Sequence, residues 1–412
     1  MLTKNELLYI EETARSLSQW TVEHRRNLHQ IPETAWKESN TTAYLIREMQ
    51  QLGYRIISGE RATGNISGLV AEIGNEPHPL VCIRFDIDGL AVSEEQAPSH
   101  LPSREGFAST CQGNMHACGH DGHMAIGLTT ARILAQKKDQ LKGTIRFLFQ
   151  PAEEGCMGAR EMVTRGWLEK VDYFLAGHIV GREYGQTIPS PVDCITGVNG
   201  SLATSKINVI FHGRSCHGAC PENGNSAITA LCTAVLALNA IPRNSAGATR
   251  INIGRINGGE GRNIVAAQAS MEMEVRGETT ELNQYMEDQA MHVIQSAAAM
   301  YGCTATIQIQ GKAPSLVTSE DFHQKINTLL NKLSSLRIAT EGERFRASED
   351  AALMMEEVKR QGGNAAFLLF PSDTTAPLHS RNYDFDETIL SKAATVFSAV
   401  VLDLLLDTGA SL

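Results

Sequence analysis

The stretch Met115-His-Ala-Cys-Gly-His-Asp-Gly-His123 packs three histidines, a cysteine and an aspartate into nine residues of a chain with only 13 His and 9 Cys. Thiolate and imidazole are the ligands that borderline divalent metals take. Cys118 and His120 stand two apart, so on an extended backbone both side chains leave the same face. The same residues also read as a polar loop capping an apolar helix over Gly122–Lys137, with Asp121 as N-cap. The two readings are compatible. For His116 and His123, ligation and a capping or hydrogen-bonding role stay equally open.

Further donors fall at the ends of apolar runs. Leu80–Phe85 reads as a strand and runs straight into Asp86-Ile-Asp88. Thr144–Phe149 ends in Gln150-Pro-Ala-Glu153-Glu154-Gly155, Tyr173–Ala176 ends in Gly177-His178, and a late loop holds His379. In open α/β sheets the carboxyl edge of the strands is where ligands bind. One metal needs four or five donors and a pair sharing a water needs more. Cys118, His120, one glutamate, His178 and His379 make five, which suits a dinuclear site. Glu153 and Glu154 cannot share one role: one can bind metal while its neighbour takes a proton from a metal-bound water. In isolation, two adjacent loop acids read as a solvated pair. Asp88 suits accepting the free ring N–H of a ligating histidine. Asp86 stays undecided.

The elements that must position these groups alternate. Helices are expected over 3–30, stopped by Pro32, and over Ser39–Leu52, closed by Gly53. The long polar loop Val92–Asn114 is of the kind that covers a site. Strands alternating with helices imply an α/β fold: a largely parallel or mixed sheet with helices on both faces. From Ser205 the order changes to strand Lys206–Phe211, helix Ser226–Ile241, strands Arg250–Ile256 and Met271–Val275, helix Glu281–Tyr301 and strand Thr304–Ile309. That βαββαβ order predicts a ferredoxin-like α+β domain. The α/β pattern resumes with helices Phe322–Leu336 and Ser348–Gln361, strand Ala365–Phe370 and helix Thr388–Leu406. The expected organisation is a first domain split into 1–203 and 313–412, with 204–312 inserted.

At 412 residues two domains are the default, and 42% hydrophobic with 20% charged residues describes an ordinary globular chain. A net charge of -10 argues against nucleic acid or an anionic membrane as partner, so an anionic substrate needs local cations. No basic segment followed by an apolar one opens the chain, and Ala393–Leu406 reads as a buried helix too short to span a bilayer. Scattered cysteines without a CxxC pair suit a reducing cytosol. A cytoplasmic protein is expected. In the second domain, His217 in Ser215-Cys-His-Gly-Ala-Cys-Pro221 lies on a turn, where a lone histidine is usually a surface residue. Asn263 and Arg276 could bind a carboxylate, Arg276 in a bidentate way.

HACGHDGH, QPAEEG, the GH at a strand end and the late LHS, with RRNLHQIPE and RFDIDGL, together resemble the amidohydrolase branch of the M20 metallopeptidase family nearly end to end. The resemblance implies a zinc-exopeptidase-like catalytic domain with an inserted ferredoxin-like lid and dimerisation domain. It implies two divalent metal ions per chain, Mn²⁺ or Zn²⁺, on Cys118, His120, Glu154, His178 and His379. Glu153 would be the general base and acid, and Asp88 would orient His120. His217 would reach across a dimer, with a second copy or with a paralogous partner, to the tetrahedral oxyanion. Asn263 and Arg276 would hold the substrate's carboxylate. The implied reaction is amide hydrolysis of an N-acyl or N-aroyl amino acid, with hippurate, N-acetyl amino acids and dipeptides as neighbouring possibilities. SEEQAPSHLPSREGFAS and SEDAALMM resemble the p-aminobenzoyl-glutamate-cleaving members. Ala266-Ala267 departs from the usual Pro-Asp, and the His217–Pro221 spacing fits the wider branch. A non-catalytic binder of peptides or amino acids is the competing class, against which the complete ligand set and Glu153 speak.

Overall fold

The computed structural model describes residues 1–74, 76–182, 191–340 and 342–406. The chain forms two compact units, one of Met1–Asn199, Leu316–Arg344 and Ala351–Leu412, the other of Gly200–Ser315 and Phe345–Asp350.

The first unit is built on a mixed eight-stranded sheet, ordered Arg55–Ser58, Leu69–Gly74, Thr144–Gln150, Leu80–Asp86, Tyr173–Gly181, Asn364–Ser372, Cys194–Ile195, Ile338–Ala339. The four central strands are parallel. Leu80–Asp86 is buried along its whole length, as a strand covered on both faces must be. The first two strands pair antiparallel at the edge and are absent from the sequence reading; LVAEIG is short and apolar, but it follows a glycine-rich loop and lacks alternation. Helices Ser18–His29, His120–Ala135 and Thr388–Leu405 pack together as one layer, while Gly158–Thr164 and Ala351–Arg360 pack together in the other. Thr388–Leu405 is long and apolar enough to cross a membrane. Here it is a core helix, with Phe397 against Phe85 at 5.3 Å and Phe370 at 5.5 Å between ring centroids.

Several boundaries differ from the sequence reading for local reasons. The helix expected over 3–30 is two, Lys4–Ser16 and Ser18–His29, meeting at Leu17. Ser16 and Ser18 each donate a hydroxyl to a carbonyl three residues back, at 2.7 Å, in competition with the helix ladder. The loop 92–114 contains a short helix, Leu101–Glu105. The strand expected to stop at Ala176 continues to Gly181, because Asn364–Ser372 pairs with it throughout. Asp121 is not an N-cap: the helix starts at His120 behind Gly119, whose φ is 85°. The helix expected to run to Leu336 ends at Leu330.

In the second unit the sheet order is Thr249–Gly258, Gln268–Gly277, Ala203–His212, Thr304–Ala313, all antiparallel. Helices Ala227–Asn239 and Thr280–Met300 bury Leu231, Leu238, Met286 and Ile294 against it. This is the ferredoxin-like arrangement.

Helix His120–Ala135 lies close on the sheet at Gly127. A Cβ there would come within 2.8 Å of the Phe85 ring and 3.1 Å of the Phe149 ring. Gly127→Val is expected to lower the unfolding free energy by about 1–3 kcal/mol, read as a drop in urea midpoint at unchanged slope. A wild-type midpoint would mean that the helix can lift from the sheet at no cost.

Candidate metal centre

Gly119 makes the left-handed turn that ends the cluster's loop, and it sets Cys118 beside His120. The ligand atoms of Cys118, His120 and His178 lie within 4.8 Å of one another, as do those of Cys118, Glu154 and His379, and those of His120, Glu153 and Glu154. The structure therefore brings all six sequence-predicted groups into one cluster at the carboxyl edge of the central strands. His178 projects from within its strand, its Nδ1–H donating to the Ile179 carbonyl at 2.6 Å. A carbonyl can only accept, so the proton is on Nδ1 and the Nε2 lone pair faces Cys118 Sγ, 3.5 Å away. His120 follows the same logic. Its Nδ1–H donates to the Asp88 backbone carbonyl at 2.8 Å, with the Asp88 carboxylate at 3.3 Å, and its buried Nε2 has no hydrogen-bond partner. Asp88 thus orients His120 as expected, mainly through its carbonyl, while its carboxylate accepts the Glu154 amide at 3.1 Å. His379 sits on a left-handed backbone (φ 67°) tied to the Ala117 carbonyl at 2.8 Å, and its ring reaches Glu154 at 3.4 Å.

The electrostatics fit a site for cations. Burial, with Glu154, Glu153 and Asp86 nearby, pushes the Cys118 thiol well above its ordinary value. Burial together with His123 pushes His178 down to about 3, leaving the neutral imidazole that a metal requires. Burial would lower His120, but Asp86 and Asp88 outweigh it and raise it to about 10. Burial would raise Glu154, yet His379 and His120 bring it to about 2. Carboxylates, a thiol and an unpartnered imidazole nitrogen converge, and Cys118 belongs to two overlapping trios. That donor set fits divalent metal, and the two trios fit a pair of ions.

Two undecided residues now have places. His123 is committed on both sides: Nδ1–H donates to Asp86 at 2.6 Å, and Nε2 accepts the Ile179 amide at 3.0 Å. Asp86 also holds Arg84 at 2.8 Å. Burial would raise its carboxyl; His120, His123 and Arg84 hold it well below the usual range. Both are structural supports under the ligands. His116 is buried, with neither ring nitrogen partnered, and burial pushes it down to about 3. It joins none of the ligand groups found among the described residues.

The supports missed by sequence reasoning form a buried knot around Arg25. Its guanidinium meets Asp121 at 2.7 Å, Asp384 at 2.6 Å and Glu387 at 3.2 Å. His29 bridges Asp121 at 2.8 Å to Glu94 at 3.0 Å, and His100 joins Glu94 at 2.8 Å. This explains the failed N-cap: the Asp121 carboxylate is turned to Arg25 and His29. Their only signal in the sequence is RRNLHQ, polar residues on a helix that otherwise reads as amphipathic.

In the second unit His217 and Asn263 are neighbours. His217 pairs with Ile264, and the Gly218 amide donates to the Asn263 carbonyl at 2.8 Å. Both side chains are exposed. Arg276 is elsewhere. Gln268 lies opposite His212 at the His217 end of the sheet, whereas Arg276 lies opposite Thr204, eight residues further along. At strand rise that is about 26 Å. Arg276 Nε and Nη2 are taken by Glu274, both at 3.0 Å, and Nη1 reaches Ser348 at 3.5 Å. The structure does not bring Asn263 and Arg276 together.

An α/β sheet with a multi-donor site at its carboxyl edge and a ferredoxin-like insert describes a metallohydrolase of the exopeptidase kind. Peptidase family M20/M25/M40 matches residues 82–403. The chain belongs to this family, whose members are metal-dependent hydrolases acting on carbon–nitrogen bonds. It is 36% identical to the first of the named subunits of p-aminobenzoyl-glutamate hydrolase from Escherichia coli, over 96% of this chain and 97% of that one. It is 35% identical, with the same coverage, to indole-3-acetyl-aspartic acid hydrolase of Enterobacter agglomerans. The Bacillus subtilis YXEP protein, described as a dinuclear metal binding peptidase of the M20 family, superimposes with a TM-score of 0.70 at 27% identity, over 95% of this chain and 99% of that one.

The knot generates a pH dependence. Burial would lower His29, but its hydrogen bonds to Asp121 and Glu94 raise it above its ordinary value. A raised histidine contributes stability that is complete below its unfolded value of about 6.5. That contribution is lost as pH climbs through the folded value. The urea-midpoint difference between wild type and His29→Gln is therefore expected to be largest below about pH 6.5 and to shrink as pH rises. A difference that grows with pH would show that His29 is buried neutral.

Proposed function

We propose that this chain is a dinuclear amidohydrolase that cleaves the amide of an N-acyl or N-aroyl amino acid, with p-aminobenzoyl-glutamate as its substrate. The observation that carries the reading is Glu153, a buried carboxylate inside the cluster and next in sequence to Glu154. Cys118, His120, Glu154, His178 and His379 would hold two divalent ions, Mn²⁺ or Zn²⁺. Bound metal supplies a Lewis acid for the scissile carbonyl and lowers the pKa of water toward neutrality. Glu153 takes the proton from the attacking water and delivers it to the departing amine nitrogen. Asp88 keeps the His120 ring in the tautomer that leaves Nε2 as a donor of electrons. His217 would supply a proton-bearing ring nitrogen to the oxyanion developing on the acyl oxygen. Arg276, braced by Glu274, would meet the substrate's carboxylate.

The separation of about 26 Å along the strand supports a two-chain site: one sheet cannot offer both Arg276 and the His217–Asn263 pair to a single small substrate. A partner surface is available. Helix Ala227–Asn239 exposes Ile228 (40%), Cys232 and Leu236 (76%) one above another, and the neighbouring edge strand exposes Ile256. A second copy or a paralogous chain fits this face. The Escherichia coli relative is by name one of the subunits of its hydrolase, which is consistent with the paralogous chain. The near-equal identity to the indole-3-acetyl-aspartic acid hydrolase favours a second reading, a broader hydrolase of amino-acid conjugates.

A hydrolysis screen with added Mn²⁺ or Zn²⁺ tests both, using p-aminobenzoyl-glutamate, indole-3-acetyl-aspartate, hippurate and N-acetyl amino acids. Cleavage of the first alone carries the narrow reading; cleavage across the set carries the broad one; no cleavage by metal-loaded protein sinks both. Glu153→Ala is expected to keep its metal, by elemental analysis, and to lose activity by at least about 10³-fold. Metal loss in that variant would exchange the roles of Glu153 and Glu154. His217→Ala is expected to be inactive with fold and metal intact. Co-expressed with Glu153→Ala it should regain about a quarter of wild-type activity, because half the dimers are mixed and each has one complete site. Persistent inactivity of the mixed dimers would place His217 in its own chain's site.

A further inference from the structure

Ala152 directly precedes the two glutamates and has φ 56°. That left-handed conformation is strained for any residue with a Cβ, and it persists only where the surroundings fix it. On one side its carbonyl accepts the amides of Met157 at 3.2 Å and Gly158 at 3.3 Å. A Cβ on Gly158 would fall 1.7 Å from the Pro151 carbonyl oxygen, so the turn closes on glycine alone. On the other side the Ala152 amide donates to Glu38 Oε1 at 2.9 Å, across 114 residues of sequence. Glu38 stands at the start of helix Ser39–Gln51 and is fully buried. Its second oxygen has no hydrogen-bond partner, and the buried Ser67 hydroxyl lies beside it. A buried carboxylate that spends itself on one backbone amide is a costly way to stabilise a fold. Its evident effect is local: it clamps the strained residue from which the catalytic pair projects.

We infer that Glu38 is a positioning residue: by gripping the Ala152 amide it fixes the left-handed turn that aims Glu153 and Glu154 into the metal cluster. The inference rests on the proposed roles of those two glutamates. It gives a function to the Lys37-Glu-Ser-Asn-Thr-Thr42 stretch, which the site itself does not use.

The test compares Glu38→Gln, Glu38→Ala, Glu38→Asp and the double variant Glu38→Ala/Ala152→Gly. The readouts are kcat and KM on whichever conjugate the wild type cleaves, and amide exchange of residues 150–158 in metal-free protein. Glu38→Gln keeps an acceptor oxygen in place and should stay within about threefold of wild type in kcat. Glu38→Ala should lose about 10–100-fold in kcat, as a misaimed catalytic group does, with KM nearly unchanged and loop exchange accelerated. Glycine at 152 removes the strain and should recover part of the loss. If Glu38→Ala does not fold, Glu38→Asp decides, since its carboxylate falls one methylene short of the amide. Wild-type kcat and wild-type loop exchange in the folded Ala or Asp variant would overturn the inference, as would a loss that Ala152→Gly leaves untouched. If the wild type cleaves no conjugate, the functional reading fails, and the exchange measurement still decides the role of Glu38.

Discussion

A single guanidinium holds the catalytic unit in register. Arg25 is buried and meets three carboxylates, one of which, Asp121, is the neighbour in sequence of His120. Another, Asp384, closes the loop that began at His379. Two ligands on segments far apart in sequence are therefore referenced to one cation on a third. Such a pairing is worth little net stability compared with an apolar replacement, yet removing one partner leaves uncompensated buried charge and costs about 3–5 kcal/mol. Its value lies in geometry. The aromatic rings of Phe107 and Phe385, with centroids 5.2 and 4.5 Å from the guanidinium carbon, complete its cage.

The ligands are legible in the sequence because each is a metal-binding residue type placed at or near the end of an apolar strand. Period and residue type suffice for that. What lies beyond reach are long-range partners: Arg25 with Asp121, His123 with Asp86, Glu38 with Ala152. Nothing local distinguishes a capping aspartate from one turned toward an arginine on another helix, so Asp121 reads as a cap and is not one. His178 reads as a strand end because Gly177 looks like a terminator. The pairing with Asn364–Ser372, nearly two hundred residues later, carries the strand past it. The antiparallel edge escapes for a related reason, since a four-residue strand such as Arg55–Ser58 owes its existence to its neighbour.

The second unit shows the opposite balance. Its βαββαβ order is readable outright, since alternation and helix length announce each element. The placing of its polar residues is not. Asn263 and Arg276 are thirteen positions apart in the chain, and that proximity suggests a common task. The strand between them carries Arg276 to the far end of the sheet, and the hairpin returns Asn263 to His217.

The central strand Asn364–Ser372 has a consequence for the making of the protein. It lies between Tyr173–Gly181 and Cys194–Ile195, so the first unit's sheet is divided until residue 372 has been synthesised. The inserted unit, by contrast, has all four strands by Ala313. At about 5–20 residues per second, translation beyond Gly181 leaves a half-built hydrophobic sheet waiting for roughly ten to forty seconds. During that interval Cys118, His120 and His178 already exist without the backbone that aligns them. The part of the chain made first is thus finished last, and the ribosome releases a catalytic unit whose metal site and core are completed together.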